Sequence, residues 1–332
     1  MTPPAKPAFP LRFPGLAAGR PGLVALLRDH SIVVLVLLLV ALVIGIAAIR
    51  PGTVTADWIS NTLLFAAPLG LIAGGQTLLL LTGGIDLSVA SVATGSAYLL
   101  SANAAQHGAA AVFLALAVGL VVGLLNGLGV AIFRVQPLVM TLGTGLMTEG
   151  VLVVYSQKII ANLPHVPGFI LALGSGKVFR FLPIDLLLWM PVATLLVLGL
   201  RHSGFGRLLY AVGDNTEACR LAGVRVWRVL LAAYVACGML SAIAGLILVG
   251  TTNAADLSLA NAYLLPSIAA AIIGGTSIFG GRGGYSGTIV GAMILTVLDS
   301  LLTLLDAPEP IKQILYGVII LLLAAAYTRL TD

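Results

Sequence analysis

The sequence predicts an all-α, polytopic membrane protein with about ten transmembrane helices, some of them short or broken, and three observations support this fold class. The chain is 59% hydrophobic and 9% charged, whereas about a quarter of the residues in a soluble domain are charged. Its mean hydropathy is +1.11. Apolar runs close to the roughly 20 residues that cross about 30 Å of hydrocarbon recur along the chain.

Ten apolar segments are candidate membrane spans. Two of them are short enough to be partial or broken helices, namely 86–101 and 264–279. In chain order the ten segments are 31–49, 62–81, 86–101, 109–133, 137–155, 183–200, 229–249, 264–279, 284–305 and 311–328.

The first segment follows a basic stretch that resembles the start of a signal peptide. Because the apolar run 31–49 is longer than the apolar region of a signal peptide, we expect an uncleaved first helix. The predicted organisation is a cytoplasmic amino-terminal tail (1–30), a single transmembrane domain (31–328) and a cytoplasmic carboxyl end (329–332).

The distribution of basic residues predicts the orientation. With the amino terminus in the cytoplasm, twelve of the 17 Lys and Arg residues fall on the cytoplasmic side, as the positive-inside rule requires. Both termini are therefore expected in the cytoplasm, together with a polar segment at about 201–228. The five basic residues on the opposite side are Arg50, Lys158, Lys177, Arg180 and Lys312.

One charged stretch stands out within that polar segment: residues 206–226, GRLLYAVGDNTEACRLAGVRV. Asp214 or Asn215 can cap a short helix, and Glu217, three residues after Asp214, gives a start that resembles a capping box. Gly223 is a natural left-handed stop. A helix of two turns is not stable alone in water, so neighbours or a docking partner must hold it.

Two glycine-rich breaks separate apolar segments: LTGGIDLS at 81–88 and IGGTSIFGGRGG at 273–284. Their similar positions suggest a weak internal repeat of about 190 residues. Asp86 in the first break either caps the following helix or contacts the solute. The second break lacks the Gly-Lys-Ser/Thr ending of a nucleotide-binding loop, so no nucleotide site is predicted there.

Polar residues inside the predicted spans are mostly uncharged. They can join helices by hydrogen bonds or line a path for a neutral, hydroxyl-rich solute. Ion-coupled carriers usually need intramembrane carboxylates, and the few candidates are Glu149, Asp185 and Asp299, which weighs against ion coupling. The uncharged residues are Gln76, Thr77, Asn126, Thr141 and Thr144.

Small residues at four-residue spacing predict close helix contacts. Gly119, Gly123 and Gly127 share one face of a span, and this pattern suits either packing within one bundle or an interface between subunits.

Enzyme motifs are not apparent in the chain. The histidines are scattered and have no partner at metal-binding spacing, and Cys219 and Cys237 form no disulfide framework. We therefore predict a chain that is not an enzyme, with no catalytic residue, no metal site and no bound cofactor.

Four motifs extend over about 230 residues of the chain. They are LTGGIDLSVAS at 81–91, NGLGVAIFRVQPLVMTLGT at 126–144, FGRLLYAVGDNTEACRLAGV at 205–224 and SIAAAIIGGTSIFGGRGGYSGTIVGA at 267–292. Together, and in this order, they resemble the membrane permease subunit of ribose-type (monosaccharide) ATP-binding-cassette (ABC) importers of bacteria. Asp299 stands where this family tends to have an amide.

The resemblance implies a permease in the bacterial inner membrane that moves a ribose-, galactose- or xylose-like sugar by alternating access. It implies a cytoplasmic ATPase subunit that holds ATP and Mg, a periplasmic sugar-binding protein, and a second permease copy, identical or paralogous. No nucleic-acid partner is expected. The segment 201–228 is then the coupling segment that docks on the ATPase. Its coupling residues are Asp214, Asn215, Glu217, Arg220 and Gly223, and the candidates for the translocation path or its hinges are Gln76, Gly83, Gly84, Asp86, Ser88, Asn126, Gly274, Gly275 and Asp299.

Other classes of protein remain alternatives at this point. A permease of a related branched-chain amino-acid-type ABC importer also has glycine-rich breaks. An ion-coupled secondary transporter would need more intramembrane charge than this chain carries. A membrane enzyme would need a polar catalytic cluster at the membrane interface, and the sequence contains none.

Overall fold

The fold comes from a computed structural model, which describes residues 31–159, 165–179 and 181–331. The predicted tail (1–30) lies outside the described residues, as does the last residue of the predicted carboxyl end. Thirteen α-helices occur within the described ranges. They are α1 (Ser31–Ile49), α2 (Ala56–Leu80), α3 (Val89–His107), α4 (Ala111–Ala131), α5 (Pro137–Ile159), α6 (Gly168–Ser175), α7 (Asp185–His202), α8 (Gly204–Asp214), α9 (Thr216–Leu221), α10 (Val226–Thr252), α11 (Leu264–Ile273), α12 (Tyr285–Leu304) and α13 (Glu309–Thr331).

The predicted fold class is confirmed. Seven segments of the described chain are long and apolar enough to cross a membrane, and each of the ten predicted spans contains a helix. One of the seven segments, Val89–Ala131, has 43 residues and is too long for a single crossing at 1.5 Å per residue. The chain interrupts it with a 3₁₀ turn at Gly108–Ala110, which separates α3 from α4.

The two segments that were predicted to be short have different outcomes. The segment 86–101 was expected to be a short span, but α3 extends to His107 and has 19 residues. The segment 264–279 is short as expected, because α11 has ten residues and covers only about 15 Å. A short hairpin of β1 (Lys177–Val178) and β2 (Leu182–Pro183), next to α6, was not predicted.

Helices α2 and α10 form the centre of the bundle, where most of their residues are buried. Helix α4 packs against α10 through its glycine face: a Cβ on Gly119 would overlap the carbonyl of Gly238, and one on Gly123 would lie 2.8 Å from the Tyr234 carbonyl oxygen. These glycines therefore serve packing within one chain. Large apolar side chains on the outer faces, such as Phe113 and Val151, are exposed, as expected of surfaces that meet lipid.

The loops that connect the helices lie at two opposite ends of the bundle, and contacts within each end identify it. At one end, the indole nitrogen of Trp58 donates to Ser300 Oγ at 2.8 Å, and Lys177 lies 3.8 Å from Asp57. At the other end, the backbone N–H of Gly281 donates to the carbonyl of Leu81. We call these the Trp58 end and the Leu81 end, and the 25 residues of α2 hold them about 35 Å apart.

Candidate functional site

The polar segment forms two short helices, α8 and α9, at the Leu81 end. Asn215 begins α9, and its side-chain oxygen accepts the Ala218 N–H at 2.9 Å. Asp214 is instead the last residue of α8. The predicted capping box is therefore wrong: Glu217 is the second helical residue, one position too early to reach back, and it pairs with Arg220 at 3.3 Å.

The end of α9 follows the prediction. Gly223 has φ +79°, a left-handed conformation that glycine adopts without steric cost. Its N–H bonds to the Arg220 carbonyl at 3.0 Å, and the Val224 N–H bonds to the Cys219 carbonyl at 2.9 Å. These two bonds form a Schellman motif. Helix α9 is therefore fixed at both ends by local hydrogen bonds.

The outward face of α9 combines charge with an exposed apolar side chain. Glu217, Arg220 and Leu221 are exposed, and Leu221 retains 83% of its accessible surface, whereas Cys219 is buried beneath them. This small, rigid surface is suited to contact with another protein.

Helix α8 joins α9 to both glycine-rich breaks. Gly213 packs so closely on Leu81 that a Cβ would overlap the Leu81 carbonyl oxygen, and a Cβ on Gly280 would lie 2.8 Å from the Gly213 carbonyl oxygen. The Gly281 N–H donates to that same Leu81 carbonyl at 3.0 Å. We call this contact of Leu81, Gly213, Gly280 and Gly281 the glycine junction.

A second contact supports the glycine junction from α8. The Tyr210 hydroxyl donates to the Gly283 carbonyl at 2.9 Å, and burial raises the pKa of Tyr210, so the hydroxyl keeps its proton. Sequence reasoning found all three segments of the junction but not their contact. Gly213 was missed as a functional candidate because a single glycine within a polar stretch carries no signal of its own.

The candidate hinge glycines lie on both sides of the junction. Gly83 and Gly275 have φ +76° and +88°, which favours glycine at both turns. Gly84 lies under Tyr234, whose hydroxyl would be 2.9 Å from an added Cβ. Gly274 ends α11 and touches Thr288 of α12 so closely that a side chain would clash with the backbone.

Four of the predicted path residues form one buried cluster. Asp86 Oδ1 accepts the Ser88 N–H at 2.7 Å and the Ser88 hydroxyl at 2.6 Å. Asn126 Nδ2 donates to Ser88 Oγ at 2.9 Å and lies 3.4 Å from Asp86 Oδ2. Gln76 Nε2 donates to the Asp86 carbonyl at 2.6 Å. All four side chains are at most 1% exposed.

Threonines of α5 extend this cluster. Thr144 donates to Asn126 Oδ1 at 2.5 Å, and Thr141 accepts the Leu87 N–H at 3.0 Å. The N-cap of α3 is Ser88, so Asp86 is not itself the capping residue that the sequence suggested. The cluster instead ties the first glycine break to α2, α4 and α5.

Asp299 lies apart from this cluster, in a cavity of about 590 Å³ at the Trp58 end. Its carboxylate lies 2.9 Å from Lys312 Nζ, and Tyr316 donates to it at 3.2 Å. Arg50, Asp306 and Glu309 also line the cavity. Aromatic, amide and hydroxyl side chains contribute further lining, as suits a solute with both hydroxyl groups and C–H faces. They include Trp58, Asn61, Thr62, Phe65, Tyr263 and Ser300.

The other intramembrane carboxylates do not join Asp299. Glu149 accepts a hydrogen bond from Ser91 at 3.2 Å, and Asp185 is buried at the first turn of α7. Within the described residues, neither forms an ion pair. The structure therefore contains no continuous chain of carboxylates across the bundle among these residues, as an ion-coupled carrier would use.

Comparisons with known proteins identify the family. Residues 58–324 match the family model described as branched-chain amino acid transport system, permease component. The chain is 33% identical to the ribose import permease protein of Escherichia coli (strain K12). The alignment spans 302 residues, which are 90% of this chain and 93% of that protein.

Further relatives are named as permeases for other solutes. The galactofuranose transporter permease protein of E. coli (strain K12) is 36% identical, with 77% of this chain and 75% of that protein covered. The fructose import permease protein of Rhizobium meliloti is 32% identical, with 78% and 74% covered. No solved structure matches the chain. The chain therefore belongs to the family of ribose-type ABC import permeases, whose members are transport subunits and not enzymes.

Proposed function

We propose that this chain is the membrane subunit of an ABC importer that moves a monosaccharide across the bacterial inner membrane by alternating access. ATP and Mg bind to a separate cytoplasmic ATPase subunit, and a periplasmic binding protein delivers the sugar. The relatives' names support a sugar over a branched-chain amino acid, since ribose, galactofuranose and fructose are all small polyhydroxylated solutes.

The glycine junction is the observation that carries the proposed mechanism. Helix α9 offers an exposed, rigid surface for the ATPase, and α8 links it to both glycine breaks through contacts made by backbone atoms. Since these atoms cannot move independently of the main chain, a displacement of α9 reaches α2, α3, α11 and α12 together. ATP binding on the partner thereby changes the arrangement of the membrane helices.

The orientation follows from the positive-inside rule, which assigns the Leu81 end and both termini to the cytoplasm. The Trp58 end then faces the periplasm, where the binding protein releases the solute beside the Asp299 cavity. A second permease copy, identical or paralogous, would pack on one of the exposed apolar faces.

A transport assay tests this proposal. The chain is co-expressed with the genes that flank its own, and uptake of labelled ribose, galactose, xylose, fructose and leucine is measured with an active and an inactive ATPase. We expect uptake of at least one sugar, abolished when the ATPase is inactive. Sugar uptake that persists without ATPase activity would overturn the proposal, and uptake of leucine alone would favour the branched-chain alternative.

The role of the cavity is tested in the same assay with Asp299→Asn. This change keeps the shape of the side chain but removes the charge that faces Lys312, so we expect the KM for the sugar to rise several-fold. Asp57→Asn is the matched control, because Asp57 lies at the same end, is 86% exposed at its side chain and does not line the cavity. Equal effects of the two changes would contradict a role for the cavity.

A further inference from the structure

A second cavity, of about 540 Å³, lies at the Leu81 end, where α4 ends and α10 begins. Ala131 and Ile132 line it from the end of α4, and Val226 and Trp227 line it from the first turn of α10. It therefore sits at the boundary between the apolar bundle and its polar cap, and it shares no lining residue with the glycine junction or the Asp299 cavity.

The lining of this cavity is strongly basic. Arg134, Arg220 and Arg225 all line it, and no carboxylate does. Arg220 pairs with Glu217, but Arg134 and Arg225 form no ion pair within the described residues. Two uncompensated guanidinium groups at one cavity attract an anion, and their fork of N–H donors matches the oxygens of a phosphate.

One of these arginines lies in a turn whose backbone is well defined. Arg134 has φ +56°, a left-handed conformation that is uncommon for a residue other than glycine, asparagine or aspartate. It occurs in the short turn between α4 and α5, whose register is fixed by the hydrogen bond from the Val135 N–H to the Gly129 carbonyl at 3.0 Å. The main chain of Arg134 is thereby fixed beside the cavity that this residue lines.

Apolar side chains adjoin the basic rim on the membrane side. Ile132 is 51% exposed and Phe133 is 76% exposed, and Trp227 is 42% exposed with the Arg228 guanidinium 5.1 Å from its ring. Farther along α4, Leu125 is also exposed. A free phosphate would not need this apolar strip, whereas the acyl chain of a lipid would cover it. Tryptophan next to arginine is typical of the headgroup level of a membrane.

We propose that this cavity binds the phosphate headgroup of an anionic phospholipid, with Arg134 and Arg225 on the phosphate and Trp227 at the level of the headgroup. The acyl chains lie along the exposed face of α4. Because Arg220 and Val224, at the end of α9, also line the cavity, the lipid braces α9 against the bundle. The proposal rests on the membrane location of the chain and does not depend on which solute it transports.

Native mass spectrometry of the full chain in detergent tests the proposal. Palmitoyl-oleoyl phosphatidylglycerol is compared with phosphatidylcholine of the same chains, and we expect retention of the anionic lipid only. The double change Arg134→Gln and Arg225→Gln should weaken phosphatidylglycerol binding at least about tenfold, since each arginine near an anionic headgroup contributes on the order of 1 kcal/mol. The matched control is Arg201→Gln with Arg207→Gln, which removes two charges at the same end but outside the cavity.

A second measurement does not depend on folding of the double variant. Phosphatidylglycerol brominated near the headgroup should quench part of the tryptophan fluorescence of the unaltered chain, and that part should be absent in Trp227→Phe. Equal quenching by brominated phosphatidylcholine would overturn the proposal. So would displacement of the lipid by millimolar inorganic phosphate, which would identify a free-anion site. Unchanged lipid binding in the double variant, with loss of ATPase-subunit binding, would assign the arginines to protein docking.

Discussion

The backbone N–H of Gly281 donates to the carbonyl oxygen of Leu81 at 3.0 Å, across 200 residues of sequence. The two residues belong to the two glycine-rich breaks, and Gly213 of α8 packs on the same carbonyl. One backbone oxygen is therefore the point at which α8 and both glycine-rich breaks meet, and the first prediction concerns this contact.

Gly213→Ala should disrupt the glycine junction, because the new Cβ would occupy the position of the Leu81 oxygen. Overpacking of this kind costs about 1–3 kcal/mol, and the backbone must shift to relieve it. We expect ATP-driven uptake to fall at least about tenfold, while the ATPase subunit still binds. Uptake and ATPase activity are measured on the assembled complex.

The control for Gly213→Ala is Gly199→Ala in α7. Apart from the backbone of its own helix, no atom lies within 4 Å of a Cβ at Gly199, so the same chemical change should leave uptake nearly unaltered. If both variants transport equally well, the junction does not transmit motion.

Asn215→Ala removes the side-chain cap of α9, which should cost about 1 kcal/mol of helix stability. Because α9 has only six residues, we expect it to fray and to bind the ATPase subunit several-fold more weakly in a pull-down or titration. Asn215→Asp keeps an acceptor oxygen and places a negative charge at the helix start, where it is favourable. That variant should bind normally, and an equal defect in both variants would contradict the capping role.

The charge swap Glu217→Arg with Arg220→Glu separates partner recognition from stability. The pair is exposed and contributes only about 0.2–0.5 kcal/mol within the helix, and the swapped pair can still form. We expect thermal stability to fall only slightly, since each reversed charge at an exposed helix end costs about 0.3–1 kcal/mol. ATPase assembly should be lost, because the charges offered to the partner are reversed. Normal assembly and transport by the swapped chain would show that these charges do not face the ATPase.

Asn126→Ala should destabilise the buried polar cluster. Asp86, Ser88 and Thr144 each form a hydrogen bond with Asn126, and the substitution removes all three bonds. A buried polar group left without its partner lowers the free energy of unfolding by about 1–3 kcal/mol. We expect a lower melting temperature for the purified chain in detergent. Asn103→Ala is the control, since Asn103 is only partly buried and donates to Tyr155 at 3.0 Å. If both variants lower the melting temperature equally, the loss of bonds in the buried cluster is no more costly than the loss of a partly buried bond.

The uptake KM of Asn126→Ala addresses the role of the cluster in transport. If the cluster only holds the first glycine break in place, the KM for the sugar should stay constant in the fraction of molecules that remains folded. A raised KM would instead indicate that these side chains contact the solute, the other function that the sequence allowed for Asp86.

Most of the secondary structure could be predicted because its causes are local. Runs of apolar residues define the ten spans, and Gly223 ends α9 through hydrogen bonds to residues within five positions. The prediction of a capping box was wrong for an equally local reason. Asp214 and Asn215 are both good N-cap residues, and because Asn215 is the cap, Glu217 is the second helical residue and not the third, which a capping box requires. The extension of α3 to His107 was missed because its last turns contain Asn, Gln and His, which weaken the apolar signal.

The sequence by itself determined that the chain is a bundle of membrane helices, with a short capped helix between two of them and two glycine-rich breaks. Only the tertiary structure decided that this segment meets both breaks at Leu81, that Gln76, Asp86, Ser88 and Asn126 form one cluster, and that Asp299 lies at the opposite end. The reason is physical. Hydropathy, capping and left-handed glycines act over a few residues, whereas a backbone contact between Gly281 and Leu81 depends on how every intervening helix packs.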